Sequence, residues 1–400
     1  MTNGRLESDN RILWLDSLRG LAVLAVVLVH CGQVARSSGF LGHVTAAGQY
    51  GVQLFFVISA ITISLTYQKH VHKYGSSPRS MFAWFVRRFF RIAPLYYIAA
   101  IVYSFEHLIL NHRFGSSLYP KPEWADFAAN LLFIHTWVPS ANNSIVPGGW
   151  SIGVEVMFYA LFPLFMLWNR KSYFKVFLPI VALASVVFSE LVNYEISGTF
   201  LIPINSYLYL WFPTQFPVIL IGCAFFFAYL DGKIMQTYPK LLLACLLFVL
   251  FAAISLALGT WGELSPGVSP STFALAFCCL TLIVRGDRIG MISNHLLSRI
   301  GTCSYSIYIV HFALLDVVRV IVKNSSIRHS QSGVSLLLLI VIPVTLGSYV
   351  SAMFTRRLVE IPGIKVGHKL SSLLLPQRSA IMSKARESDL ATPGASVVSV

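Results

Sequence analysis

Four hundred residues, 56% of them hydrophobic and only 12% charged, with a mean hydropathy of +0.69, do not make an ordinary water-soluble domain. A formal charge of +14 raises the question of nucleic acid, but the thirty Lys and Arg are scattered between apolar runs instead of being gathered on one face. Composition therefore points to a single membrane domain.

At the N-terminus, Arg5 and Arg11 precede an apolar stretch that ends at His30. It is too long for the core of an export signal, and no small-residue cleavage site follows, so the segment is expected to stay as the first span. Further apolar runs follow the one near 13–32, at 50–68, 90–110, 152–168, 174–192, 214–230, 239–258, 271–285, 302–322 and 334–355. An all-α bundle of about ten transmembrane helices is predicted. Twenty-three Lys and Arg fall in one set of connections and six in the other, with Arg19 inside a span. The positive-inside rule then puts both termini in the cytoplasm. The connection from 111 to 151 lies outside, and its Trp124, Trp137 and Trp150 predict a loop packed at the membrane surface or over a cavity. Residues 1–370 are expected to form the membrane domain, and the polar stretch 371–400 a disordered cytoplasmic tail. The six cysteines lack ligand spacing and sit in or beside apolar runs, so neither a disulfide framework nor a metal site is expected.

Ionisable residues inside spans carry the functional signal, because they are costly there. Asp16, Arg19 and His30 share the first helix. Arg19 and His30 are eleven steps apart, roughly 16 Å along the axis and nearly on one face. An Asp16–Arg19 ion pair near the inner interface with an interfacial His30 explains the same residues without catalysis. Arg87, Arg88 and Arg91 stand at the cytoplasmic mouth of the third helix, where they serve either as topological anchors or as bidentate phosphate ligands. Gly148-Gly149-Trp150-Ser151 returns the outer loop to the membrane, with Ser151 a candidate helix cap and Glu155 one turn inside. Glu155 is expected near His30. In the ninth helix, His311 sits among the hydroxyls of Ser304, Tyr305, Ser306 and Tyr308, as a functional group or as packing glue.

Taken in order, these segments resemble the acyltransferase-3 family of integral membrane acyltransferases, over about Leu15 to Pro362. The resemblance rests on Leu15-Asp16-Ser17-Leu18-Arg19-Gly20 with His30, on Gly51 to Ser59, on Arg87 to Pro94 with Tyr96 and Tyr97, on Trp150-Ser151 with Glu155 to Tyr159, and on Ser304 to His311. Ala60, Gly153 and Val156-Met157 depart from the family pattern and touch packing around the expected cavity. The resemblance implies a multi-pass protein of a bacterial-type inner membrane that moves an acyl group, usually acetyl, from cytosolic acyl-CoA to a hydroxyl of an extracytoplasmic carbohydrate. On that reading Arg19, Arg88 and Arg91 hold the donor's phosphates. His30 meets the thioester, as general base or as transient acyl acceptor, and Glu155 orients the imidazole. Asp16, Ser59, Trp150, Ser151, Tyr305 and His311 are further site candidates. No appended serine hydrolase segment is legible, so one transfer step is expected within this chain. The competing class is a proton-coupled exporter of a lipid-linked sugar or small anion, against which stands the lack of paired broken helices.

Overall fold

The computed structural model describes residues 3–114, 122–167, 174–199, 206–230, 248–249, 265, 267–285, 290–324 and 333–375. Those residues are helical or in turns, with no strand among them. Besides a single turn at Tyr207–Leu210, the α-helices are α1 Asn3–Ala35, α2 Gly39–Ala47, α3 Gly51–Tyr74, α4 Pro78–Phe114, α5 Trp124–Leu131, α6 Gly149–Leu167, α7 Phe174–Ser197, α8 Phe212–Phe225, α9 Val268–Arg285, α10 His295–Thr302, α11 Ser304–Asn324, α12 Gly333–Thr355 and α13 Ile361–Leu374.

Eight helical stretches among the described residues are long and apolar enough to cross a bilayer. The expected third span falls on α4, a 37-residue helix that carries Arg87, Arg88 and Arg91 along its length and is not among those eight. The expected span at 239–258 falls almost wholly outside the described residues, as does the tail beyond 375; before it, α13 carries helix past 370 to Leu374. Lipid contact is written on the outer helices. Val176, Ile180, Leu183, Val187 and Leu191 of α7 are exposed at helical spacing, as are Leu338, Ile342, Leu346 and Val350 of α12. Apolar stripes of that length face hydrocarbon, because water would drive them together. The chain is an integral membrane protein.

Helix α1 runs through the middle and packs against α3, α10, α11 and α12. Its closest neighbour is α10, and the approach depends on two glycines: a Cβ on Gly20 would collide with the Leu297 carbonyl, and one on Gly301 with the Asp16 carbonyl. Small residues that let backbones meet are the usual way membrane helices gain packing energy. Here the contact fixes the turn that carries Asp16 and Arg19. Gly301→Val is expected to force these backbones apart at a cost of about 3 kcal/mol, the upper end for overpacking. A lower thermal unfolding midpoint in detergent is the expected result, and an unchanged midpoint would contradict the packing.

Candidate active site

Three cavities follow one another along the bundle. The central one, with about 710 Å³ of empty space partly open to its surroundings, lies between α1, α3, α4, α6 and α11. Toward the basic end it shares the Arg88 and Arg91 walls with a cavity of about 1320 Å³. Toward the opposite end it shares Val52 and Tyr308 with a cavity of about 1750 Å³ that contains His30. The ends of α3 and α4 supply Lys69, Lys73 and Arg87 to the basic cavity, and the turn after α12 adds Arg356. Arg19, Arg88 and Arg91 line the central cavity and His30 the outer one, and these two neighbouring cavities have Val52 and Tyr308 as common walls.

Arg19 is held on both sides. Its Nη1 donates to Asp16 Oδ1 at 2.5 Å and its Nη2 to Thr62 Oγ1 at 2.6 Å. The Thr62 hydroxyl donates in turn to the Ile58 carbonyl at 2.8 Å, so α3 fixes the guanidinium through a side chain it anchors itself. Arg88 is only 9% exposed; it donates to Thr66 Oγ1 and lies near the rings of Trp84, at 5.6 Å, and Tyr159, at 5.9 Å. Arg91 belongs to the same cluster, facing both the central and basic cavities. The ion pair read from the sequence is thus formed, and it serves a larger group of three arginines.

Glu155 belongs to that group and not to His30. Its carboxylate accepts hydrogen bonds from Ser59 Oγ and from Tyr159 OH, the latter at 2.5 Å, within the electrostatic reach of Arg88 and Arg91. The expectation that Glu155 orients the imidazole is therefore corrected: six residues into α6, it stands roughly 9 Å below the helix start by helix rise, on the wall of the central cavity. Ser59, in contrast, finds a definite place, as the α3 donor to that carboxylate.

The partner of His30 comes from α11. The His30 and His311 ring centroids lie 5.4 Å apart, with Phe312 4.5 Å from His30. His30 Nδ1 lies 3.3 Å from Gln33 Oε1, one turn on along α1; since that oxygen can only accept, Nδ1 carries the hydrogen and Nε2 the lone pair. His311 is fully buried, and its Nδ1 donates to the Tyr308 carbonyl at 2.7 Å. Its Nε2 has no hydrogen-bond partner. Along α11, Tyr305, Tyr308 and His311 are spaced three apart, so they climb one face from the central cavity to His30. Tyr305 is pinned by its hydroxyl to the Ile92 carbonyl at 2.7 Å.

Where the outer loop rejoins the bundle, Gly148 takes φ +74°, a left-handed conformation that favours glycine. The Ser151 and Tyr308 hydroxyls stand 2.8 Å apart, and each reaches the Gly148 carbonyl, at 3.1 and 3.0 Å. Ser151 is thus a first-turn residue tying α6 to α11; the helix begins before it, at Gly149, so it is not the cap. Trp150 is buried and lines the outer cavity.

The loop itself packs over that cavity through Asn143, Pro147 and Gly148. A buried imidazole that sequence reasoning passed over anchors it. His135 Nε2 donates to the Gly149 carbonyl at 3.0 Å, beside the stacked ring of Tyr96, and burial pushes its pKa down to about 4. A base whose pKa falls on folding keeps its full contribution above its unfolded value, near 6.5, and loses it as pH drops toward 4. Each pH unit in that window costs about 1.4 kcal/mol, or ~3 kcal/mol across it. Hydrogen exchange in 122–148, corrected for intrinsic rates, is expected to rise as pH falls from 7 to 4.5. His135→Gln is expected to flatten that rise, and an equally steep rise in the variant would remove His135 as its cause.

Sequence reasoning also missed Glu360 and Gln53. Glu360 accepts from Ser306 Oγ at 3.0 Å and faces the basic cavity from a π-helical turn, Arg356–Glu360. Gln53 is buried and donates to Gln215 Oε1 at 3.0 Å across α3 and α8. An acid at a span end and a glutamine within an apolar run were the available signals.

A family model described as an acyltransferase domain matches residues 12–353, and the chain belongs to that acyltransferase-3 family. Among curated proteins it is 26% identical to the peptidoglycan O-acetyltransferase OatA of Listeria monocytogenes over 335 residues, which cover 76% of this chain and 49% of that protein. It is 24% identical over 329 residues to a putative O-acetyltransferase of Staphylococcus aureus strain COL, covering 76% of this chain and 50% of that one. Acyltransferase MdmB of Streptomyces mycarofaciens is 23% identical over 353 residues, covering 76% of this chain and 80% of its own. The chain spans about half the length of the first two relatives. No solved structure matches.

Proposed function

We propose that this protein is a membrane O-acyltransferase that carries an acyl group, acetyl in the first instance, from cytosolic acyl-CoA to a hydroxyl of an extracytoplasmic carbohydrate, in a bacterial inner membrane. The observation that supports it is the run of three neighbouring cavities that share wall residues, with a guanidinium cluster where the first two meet and His30, packed against His311, on the third. Orientation follows from the basic connections, which make the Lys69, Lys73 and Arg87 end cytoplasmic.

In this reading Arg19, Arg88 and Arg91 hold the donor's phosphates by charge-assisted hydrogen bonds, and Asp16 and Glu155 offset the charge of a cluster that is otherwise costly in a bilayer. The pantetheine arm runs along the Tyr305–Tyr308 face toward His30. There the imidazole takes the proton of the acceptor hydroxyl at Nε2, while Nδ1–H stays on Gln33. The alkoxide oxygen bonds to the thioester carbonyl carbon, the C–S bond breaks, and the proton passes from the imidazolium to the departing CoA sulfur. His311 and Phe312 position the His30 ring by packing against it. The test is purified full-length protein given labelled acetyl-CoA and an oligosaccharide acceptor. CoA release coupled to ester formation is expected; movement of solute across liposomes without CoA release would favour the exporter class instead.

A further inference from the structure

The outer cavity carries a chemistry of its own. Its polar walls include the carboxamides of Gln33, Gln49, Gln53 and Asn143, together with hydroxyls such as Thr45 and Tyr209, and the rings of Trp150 and Phe312 line it too. Amides that both donate and accept, with flat apolar faces between them, suit a ring that bears several hydroxyls.

Charge singles out one class of such rings. Two cations, Arg36 and Arg319, line the cavity, and no Asp or Glu does. Arg319 is paired with Asp316 at 2.5 Å, so its charge is offset. Arg36, in the turn after α1, is exposed, and its side chain has no partner among the described residues. It stands six residues beyond His30 on the chamber wall that holds the imidazole.

We infer that the acceptor in the outer cavity is an anionic carbohydrate, a sugar bearing a carboxylate or phosphate, whose charge is received by Arg36 while the carboxamides bind its hydroxyls. This rests on reading the outer cavity as the acceptor site. An uncompensated guanidinium at the mouth of a low-dielectric cavity draws anions in and holds a planar carboxylate through two parallel hydrogen bonds. It also fixes the register of the sugar, so that one hydroxyl faces His30.

Binding tests this without the donor. Full-length protein in a nonionic detergent, free of anionic lipid, is titrated with a fluorescent oligogalacturonate and with the uncharged oligogalactoside of equal length. The charged chain is expected to bind about tenfold more tightly, with the advantage abolished in Arg36→Gln, largely kept in Arg36→Lys, and kept in Lys73→Gln on the opposite, basic cavity. Equal binding of the two chains, an advantage that survives Arg36→Gln, or one lost in Lys73→Gln would overturn the inference. Tight, Arg36-dependent binding that persists when CoA release fails would support the charge preference and strike only the catalytic reading.

Discussion

Replacing His30 with alanine is expected to lower acyl transfer by about 10²–10⁴-fold, the range for loss of a positioned general base, while the protein stays in the membrane at its normal level. Two features predict so clean a separation. The His30 side chain borders a cavity instead of filling the core, and its one hydrogen bond, to Gln33 at 3.3 Å, is local to α1. Its removal therefore strands no distant partner. His311→Ala is the informative companion: His311 is fully buried and bonded to its own helix, so its loss opens a cavity next to His30. A smaller rate loss with a lower unfolding temperature is expected there. Retention of full activity by His30→Ala would remove the residue from the chemistry.

Arg19→Gln is expected to raise the KM for the acyl donor by at least about tenfold, the scale of one lost charge-assisted contact, with less effect on acceptor use. The variant also leaves Asp16, which is buried, without its cation. Breaking one side of such a pair costs about 3–5 kcal/mol through the stranded charge, so stability and donor binding fall together. The double variant Asp16→Asn with Arg19→Gln separates them: thermal stability is expected to recover and donor KM to stay high. Recovery of both would make Arg19 a structural residue and leave the phosphates to Arg88 and Arg91. Kinetics against acetyl-CoA concentration and an unfolding scan on the same preparations read the two effects.

Much of this arrangement was legible before the structure. Helical spans announce themselves by apolar length, and the Arg19–His30 interval is fixed by helix rise, so both survived the passage to three dimensions. Arg88 and Arg91 were legible as cations at a helix mouth, though their place at the junction of two cavities was not. What sequence could not supply was the depth at which residues of different helices meet. His30 near the end of α1 and Glu155 near the start of α6 were both expected on the outer side and looked like neighbours; yet Glu155 lies six residues into its helix, where Ser59 of α3 and Tyr159 of its own helix receive it. His311 was legible as a site candidate within a span, but not as the neighbour of His30. Its contact with His30 depends on α1 and α11 packing side by side, and no local pattern encodes that. Long helices with several charges were likewise hard to bound: α4 runs 37 residues, with Arg88 buried and Arg87 and Arg91 half-buried along it, and the apolar run alone marked only its later part.

One donor molecule is expected to reach from the arginine cluster to His30 through the neighbouring cavities. A cryo-electron microscopy structure with a non-transferable thioether analogue of acetyl-CoA tests it most directly. Density is expected with the phosphates against Arg88 and Arg91, the arm beside Tyr305 and Tyr308, and the acyl carbon beside His30. An analogue lying on a lipid-facing surface, or ending short of Tyr308 with the passage to His30 closed, would contradict it.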